Sequence, residues 1–326
     1  TATQGPVARD RGKMLNAVLA NPRVKEAIRL ECEEKKISPE QARREALKYA
    51  NEIAADFSIS AIRLFAAILT PIWNRIYSGL STFHVPRLRE TAQTEGIVYL
   101  ASHRSHLDYL LNSYVLYKQG LATPHIAAGD NLNFWPVGLL FRRSGAFFLR
   151  RKFTGLRLYS EVFRSYLDVL LTRKHSILFF PEGGRSRTGR LLGSKPGMLG
   201  MTVQSFLSHP DNPVNIVPVY IGYDRVPEVN SYFKEMSGKK KKQKEGIGGL
   251  VRAGKILKSK HGQPYLSYGQ PVKLKTWMDQ NVADWRTKIA GEDWQTFLAG
   301  GKTPNWFKVA VSTLGNHVMS GINAAA

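Results

Sequence analysis

The stretch Ile97-Val98-Tyr99-Leu100-Ala101-Ser102-His103-Arg104-Ser105-His106-Leu107-Asp108-Tyr109-Leu110-Leu111 runs apolar and then turns abruptly polar and ionisable. An unbroken apolar run containing Val and Tyr reads as a buried strand, and the polar cluster after it as the turn leaving that strand. In open α/β sheets such exits are where ligands sit. His103 and Asp108 are five residues apart, which on one continuous helix sets them about 140° from each other. They meet only if the chain turns between them. A strand ending at Ser102, a turn at His103-Arg104 and a helix from about Ser105 puts Asp108 in the first helical turn, in reach of the imidazole. The same residues, Ser105-His106-Leu107-Asp108, also fit a capping box in which Asp108 merely closes a helix N-terminus.

Before this stretch the pattern is helical. Residues 10–36 carry a 3.6-residue apolar period broken at Asn21-Pro22, which predicts a pair of helices. Ser38-Pro39-Glu40-Gln41 is a helix start with Ser as N-cap and Pro at the first position. From there apolar residues recur every three or four positions up to Pro71, describing one long helix or two joined ones. The end of that segment, Phe57 to Trp73, reads either as a core helix or as an interfacial helix lying in a membrane surface, with Trp73 and Tyr77 as aromatic anchors. Its most apolar part, Leu64 to Trp73, is about half the length of a bilayer span, and no signal peptide is visible.

After the stretch, strands are predicted at 124–128, 145–149, 176–180, 214–221 and 265–269, and helices at 108–117, 158–171 and 247–258. Pro218 within 214–221 predicts an edge position or a bulge. Strands alternating with helices predict an α/β fold, a central mostly parallel or mixed sheet flanked by helices. The expected organisation is an N-terminal helical region over 1–80, an α/β domain over 81–275 and a helical extension over 276–326, with both ends read as cut from something longer.

Three strand exits carry ionisable residues: His103 with Asp108, Arg150 with Arg151, and Glu182 with Arg185 and Arg187. Residues 142 to 190 hold ten arginines and only three acids. The planar guanidinium fork suits oxyanions, so a phosphate-bearing substrate is the natural reading. The formal net charge of +22 implies an anionic partner. Lys239 to Lys244 reads as a basic loop that is either simply solvated or drawn to anionic lipid. The lone cysteine, Cys32, leaves no disulfide framework. Gly249 to Ile256 imitates a P-loop, but Ile256 stands where Ser or Thr is required. With no Gly-x-Ser-x-Gly elbow and no metal-ligand spacing, serine hydrolases and zinc enzymes lose their usual support. A His oriented by an Asp, without a protein nucleophile, still serves acyl transfer if the substrate supplies the hydroxyl.

His103-x4-Asp108, Gly145-x-Phe147-Phe148-Leu149-Arg150, Phe180-Pro181-Glu182-Gly183-Gly184-Arg185-Ser186-Arg187 and Val217-Pro218-Val219-Tyr220-Ile221, in this order, resemble the four sequence blocks of the glycerolipid acyltransferases. The longer forms of these blocks resemble the bacterial membrane-bound glycerol-3-phosphate acyltransferases within that family. The resemblance implies transfer of a fatty acyl group from acyl-CoA or acyl-carrier protein to the 1-hydroxyl of glycerol 3-phosphate, giving lysophosphatidic acid. By it His103 is the base, Asp108 its partner, and Arg150, Arg151, Glu182, Gly183, Arg185, Ser186 and Arg187 bind the glycerol phosphate. Pro218 lies in the acyl-donor block, and His106 is left as a residue holding the turn. No metal or tightly bound cofactor is implied, and the expected setting is a monotopic or peripheral enzyme on the cytoplasmic face of a bacterial inner membrane. The competing expectations are a related acyltransferase acting on lysophosphatidic acid or dihydroxyacetone phosphate, and a basic nucleic-acid-binding protein. The last is poorly supported, since no nucleic-acid module is present.

Overall fold

The computed structural model describes residues 11–92, 96–150, 155–228 and 259–326. The predicted Lys239–Lys244 loop, the 247–258 helix and Arg151 lie outside them.

Strand β2 (Gly96–Ala101) sits in the middle of the sheet, and all six of its residues are buried. Val98 and Leu100 face one hydrophobic core, and Ile97, Tyr99 and Ala101 the other. This is the period-two alternation of a pleated strand with helices on both sides, and it is why the sequence shows an unbroken apolar run there. β1 (Ser81–Phe83), β3 (His125–Gly129), β4 (Ala146–Leu149), β5 (Ile177–Phe179), β6 (Val214–Tyr223), β7 (Pro264–Tyr268) and β8 (Val272–Lys273) complete the sheet. Its order is β1-β7-β6-β2-β5-β3-β4, with β8 also pairing β6. β6, β2, β5, β3 and β4 run parallel, while β7 and β8 pair antiparallel to β6 and β1 follows β7, so the sheet is mixed.

One face is covered by α1 (Arg11–Ala20), α2 (Pro22–Lys35), α3 (Pro39–Ile53), α8 (Arg157–Thr172), α9 (Pro196–Ser208) and the C-terminal helices, the last of them Asn305–Ala324. The other is covered by α4 (Ile59–Ile76), α5 (Val85–Ala92) and α6 (Asp108–Lys118). The helix break at Asn21-Pro22 and the capping box at Ser38 and Gln41 are as the sequence predicts.

The long N-terminal pattern resolves into two helices, broken at Ala54–Ser58, and Pro71 lies inside the second instead of ending it. The break is held from outside. The Arg142 guanidinium, at the end of α7 (Val137–Arg143), donates to the carbonyls of Asn51, Glu52 and Ala54, which a helix C-terminus otherwise leaves without partners. At 18 residues α4 is long and apolar enough to span a bilayer by length and composition, where the ten-residue apolar stretch alone predicts it is too short. It is neither a fully buried core helix nor free of the core. Ala66, Leu69, Trp73 and Ile76 are buried, whereas Leu64 and Ile68 are exposed.

The expectation for Pro218 also needs correcting as to place. β6 is an interior strand, and Pro218 stands opposite Leu100 of β2. On its other side the antiparallel partners are interrupted: β8 pairs residues 215–216 and β7 pairs 219–223. The Pro218 carbonyl accepts from Gly269 N–H across that gap at 2.8 Å, so the missing proline N–H falls where no ladder bond is due.

Candidate active site

β2, β5 and β4 are parallel, so the exits carrying His103, Glu182 and Arg150 open on one edge of the sheet. At the β2 exit, buried Ser102 accepts Ile221 N–H through Oγ at 2.9 Å, which ties the turn to β6. His103 follows. Its ring stacks on Phe180 with centroids 3.8 Å apart and planes 13° from parallel. Its Nδ1 lies 2.9 Å from Asp108 Oδ2.

Asp108 is fully buried at the first position of α6, where the helix dipole favours its charge. Oδ2 also accepts the backbone N–H of Arg104 at 2.6 Å and of Ser105 at 2.9 Å, and Oδ1 accepts the Tyr223 hydroxyl at 2.6 Å. The capping-box reading does not hold: α6 begins at Asp108 behind Leu107 with no side-chain cap, and the carboxylate instead gathers the N–H groups of the preceding turn while it orients the imidazole. An acceptor-only carboxylate at Nδ1 assigns the ring hydrogen to Nδ1 and leaves the Nε2 lone pair as the proton acceptor. The His103 side chain keeps 15% exposure against none for Asp108, so the ring is open to a substrate from which the carboxylate is shielded.

The β5 exit packs directly on this turn. Glu182 is buried, accepting His103 N–H at 2.8 Å through one oxygen and Leu192 N–H at 2.7 Å through the other. Burial pushes its carboxyl above the ordinary range, against the pull of those two N–H donors. Ser186 N–H returns to the His103 carbonyl at 2.8 Å, and its buried Oγ has no hydrogen-bond partner among the described residues. Gly183 has a φ of +65°, and a Cβ there would meet Lys195 Cγ at 2.9 Å, so a side chain would be strained and would have to displace Lys195. Arg185 Nη1 lies 3.1 Å from His106 Nδ1, and Arg187 is half-buried on the same loop.

Two residues outside the sequence blocks complete the site. Tyr223 ends β6 and holds Asp108. Glu228 accepts Ser105 Oγ–H at 3.0 Å and His106 N–H at 2.9 Å, and lies 3.1 Å from His106 Nδ1. Burial alone raises the Glu228 carboxyl, but the hydrogen bonds from His106 and Ser105 outweigh it and the net shift is downward.

The structure brings together His103, Asp108, Glu182, Arg185 and Ser186, and places Arg150 and Pro218 elsewhere. Arg150 closes its fork on Glu52 at 2.6 and 2.7 Å, between the rings of Tyr49 and Tyr159. β4 is three strands from β2, roughly 14 Å at ordinary strand spacing. Arg157 and Arg164 are likewise paired, with Glu34 and Glu161. Much of the arginine density over 142–190 is thus structural. Pro218 lies within the sheet against Gly269 and Gly321.

Tyr109 and Leu110, the residues after Asp108 on α6, join Ile62, Phe65 and Leu69 of α4 and Phe141 of α7 around a narrow apolar cleft.

Residues 83–222 match the acyltransferase family profile, and 232–326 match the profile of the glycerol-3-phosphate acyltransferase C-terminal region. A glycerol-3-phosphate acyltransferase of Shewanella denitrificans is 47% identical over 323 residues, and one of Shewanella woodyi 46% over 326, each covering 99% of this chain. The chain spans 39% of the length of these curated relatives. A solved 1-acyl-sn-glycerophosphate acyltransferase from Thermotoga maritima aligns over 96% of this chain and 88% of its own at 16% identity, with a TM-score of 0.41. With both profiles matched in order and relatives at this identity along nearly its whole length, the chain belongs to the glycerol-3-phosphate acyltransferase family.

Proposed function

We propose that this chain transfers a fatty acyl group from acyl-CoA or acyl-carrier protein to the 1-hydroxyl of sn-glycerol 3-phosphate, giving lysophosphatidic acid. The observation carrying this reading is the His103–Asp108 pair, with the carboxylate fully buried and the ring stacked and accessible at the sheet edge. His103 Nε2 takes the proton of the substrate hydroxyl as its oxygen attacks the thioester carbonyl. Asp108 stabilises the imidazolium, which returns the proton to the departing thiolate, and no covalent acyl-enzyme forms. General-base catalysis of this kind supplies about 10²- to 10⁴-fold. Arg185 and Arg187 supply charge for the phosphate. Ser186 Oγ, buried and without a partner among the described residues, is a further hydroxyl donor for a substrate oxygen.

The apolar cleft between α4, α6 and α7 supports a fatty chain as the donor's other half, since its lining is almost wholly apolar and includes Tyr109 and Leu110, which follow Asp108 in sequence. Its free volume is only about 40 Å³, so Phe65, Tyr109 and Phe141 must swing apart to admit one. The outer face of α4, with Leu64 and Ile68, adjoins α7, where Leu139 is also exposed, and Trp135 on the preceding loop is 85% exposed. Apolar side chains on adjoining elements suit a lipid surface, which the strongly basic composition favours further if the lipids are anionic. The proposed place is the cytoplasmic face of a bacterial inner membrane. The test is acylation of glycerol 3-phosphate from labelled acyl-CoA, with and without phospholipid vesicles, in competition with lysophosphatidic acid and dihydroxyacetone phosphate. Higher kcat/KM for either competitor, or no transfer at all, defeats the reading.

A further inference from the structure

Asp108 is held at both oxygens, and the two are not held alike. Oδ2 accepts His103 Nδ1–H and two backbone N–H groups of its own turn. Oδ1 accepts the hydroxyl of Tyr223, which arrives from β6, 115 residues away in sequence, at 2.6 Å. A short O–H···O⁻ bond is charge-assisted and among the stronger hydrogen bonds a carboxylate makes. Burial, and then the neighbouring Asp108 charge, keep the phenol well above its ordinary range, so it remains a donor at any working pH. The Tyr223 ring leans on Tyr77 at 6.3 Å, which fixes where the hydroxyl points.

We propose that Tyr223 is a positioning residue for acyl transfer: its hydroxyl fixes the Asp108 carboxylate and sets how much negative charge that carboxylate presents to His103. The role rests on reading His103 as the base. A donor on Oδ1 draws charge away from Oδ2. Removing it leaves more charge facing Nδ1, stabilises the imidazolium, and moves protonation of His103 to higher pH. It also leaves Oδ1 without its anchor, so that the carboxylate plane is fixed only from Oδ2 and the imidazole is less well oriented for proton transfer, which lowers turnover. The other titratable or charged groups around this pair are Arg104 and His106 on the same turn, Glu182 and Arg185 from the β5 exit, Glu228 beyond β6, and Tyr77 next to α4. None of these is altered by exchanging one phenol for a phenyl ring.

The test is Tyr223→Phe, which keeps the ring and its contact with Tyr77. Two readouts are needed. The first is the NMR titration of the His103 ring in the resting protein, which requires no acyl transfer. The midpoint is expected to rise by roughly half a pH unit or more. The second is the rate of glycerol 3-phosphate acylation: kcat about tenfold lower, KM for both substrates within twofold, and the acid limb of the kcat/KM profile displaced upward in pH. An unmoved His103 titration with kcat within twofold of the parent overturns the proposal. If the parent protein shows no acyl transfer, the functional reading fails while the titration still decides the role of Tyr223. If the variant does not fold, 3-fluorotyrosine in the parent protein decides: the Tyr223 fluorine signal must move in step with His103 protonation, and a flat signal overturns the proposal.

Discussion

Glu182 Oε1 accepts the backbone N–H of His103 at 2.8 Å while Oε2 accepts Leu192 N–H at 2.7 Å. A side chain that the resemblance assigns to the glycerol phosphate thus has the geometry of a strut, joining the His103 turn to the return of the loop that carries Arg185 and Arg187.

A strut and a substrate ligand fail differently. Glu182→Gln can satisfy one of the two N–H donors but turns its own NH₂ toward the other, leaving a buried donor unpaired at about 1–3 kcal/mol. Felt at His103, this lowers kcat about 10- to 100-fold, with KM for glycerol 3-phosphate within threefold. Initial-rate kinetics separate the cases. A tenfold rise in that KM at unchanged kcat makes Glu182 a substrate contact.

Arg185 is the arginine that the structure brings to the His103 turn, through His106. Losing a charge-assisted contact to phosphate costs roughly 1.5–3 kcal/mol. Arg185→Ala should therefore raise KM for glycerol 3-phosphate about 10- to 100-fold and leave that for acyl-CoA nearly unchanged. An unaltered KM for glycerol 3-phosphate moves the phosphate site elsewhere.

What the sequence discloses of this site is what lies close in sequence. His103 and Asp108 are five positions apart and follow a strand whose two buried faces leave an unbroken apolar run, so fold and pair are legible together. Tyr223 and Glu228 reach the same turn from 115 and 123 residues away, and nothing local distinguishes them from any tyrosine or glutamate near a strand end. Charge density misleads for the same reason: Arg142 and Arg150 look like anion ligands until α3 brings its carbonyls and Glu52 to them. The helix α9 has no signal in the sequence reading, because Gly197, Gly200 and Thr202 dilute its apolar period. Strands β1 and β8 span three and two residues, too few to show one.

Arg150 should behave as a structural residue. Its bidentate bond to Glu52 and its two ring contacts join β4 to α3 and α8, although partial exposure weakens the ion pair. Arg150→Ala is expected to lower the thermal midpoint by a few degrees while KM for glycerol 3-phosphate stays within twofold. A large rise in that KM without loss of stability would return Arg150 to the substrate.

The outer face of α4 gives a prediction that activity assays in solution would miss. Leu64→Asp combined with Ile68→Asp changes side chains that are 58% and 44% exposed, so folding should be little affected. Co-sedimentation with anionic phospholipid vesicles is expected to fall at least tenfold. Undiminished binding places the lipid-facing surface elsewhere.

Stability should depend on pH through two histidines far from the chemistry. His125 begins β3, is 2% exposed, stacks on Phe57, meets the His175 ring edge-on, and has no hydrogen-bond partner at either ring nitrogen among the described residues. Burial first, and then His175, push His125 down to about 3, and burial with Arg173 pushes His175 down to about 4. Both rings stay neutral in the folded chain at pH values where they are protonated in the unfolded chain, whose midpoint is near 6.5. Between that midpoint and about pH 4 the unfolded state therefore binds more protons, and stability falls as pH falls. Each ring contributes about 1.4 kcal/mol per pH unit, and the pair about twice that. His125→Leu removes one of the two and should lower the slope of unfolding free energy against pH between 4.5 and 6 by up to about 1.4 kcal/mol per pH unit, measured by urea unfolding. An unchanged slope rules out His125 as a source of the acid sensitivity.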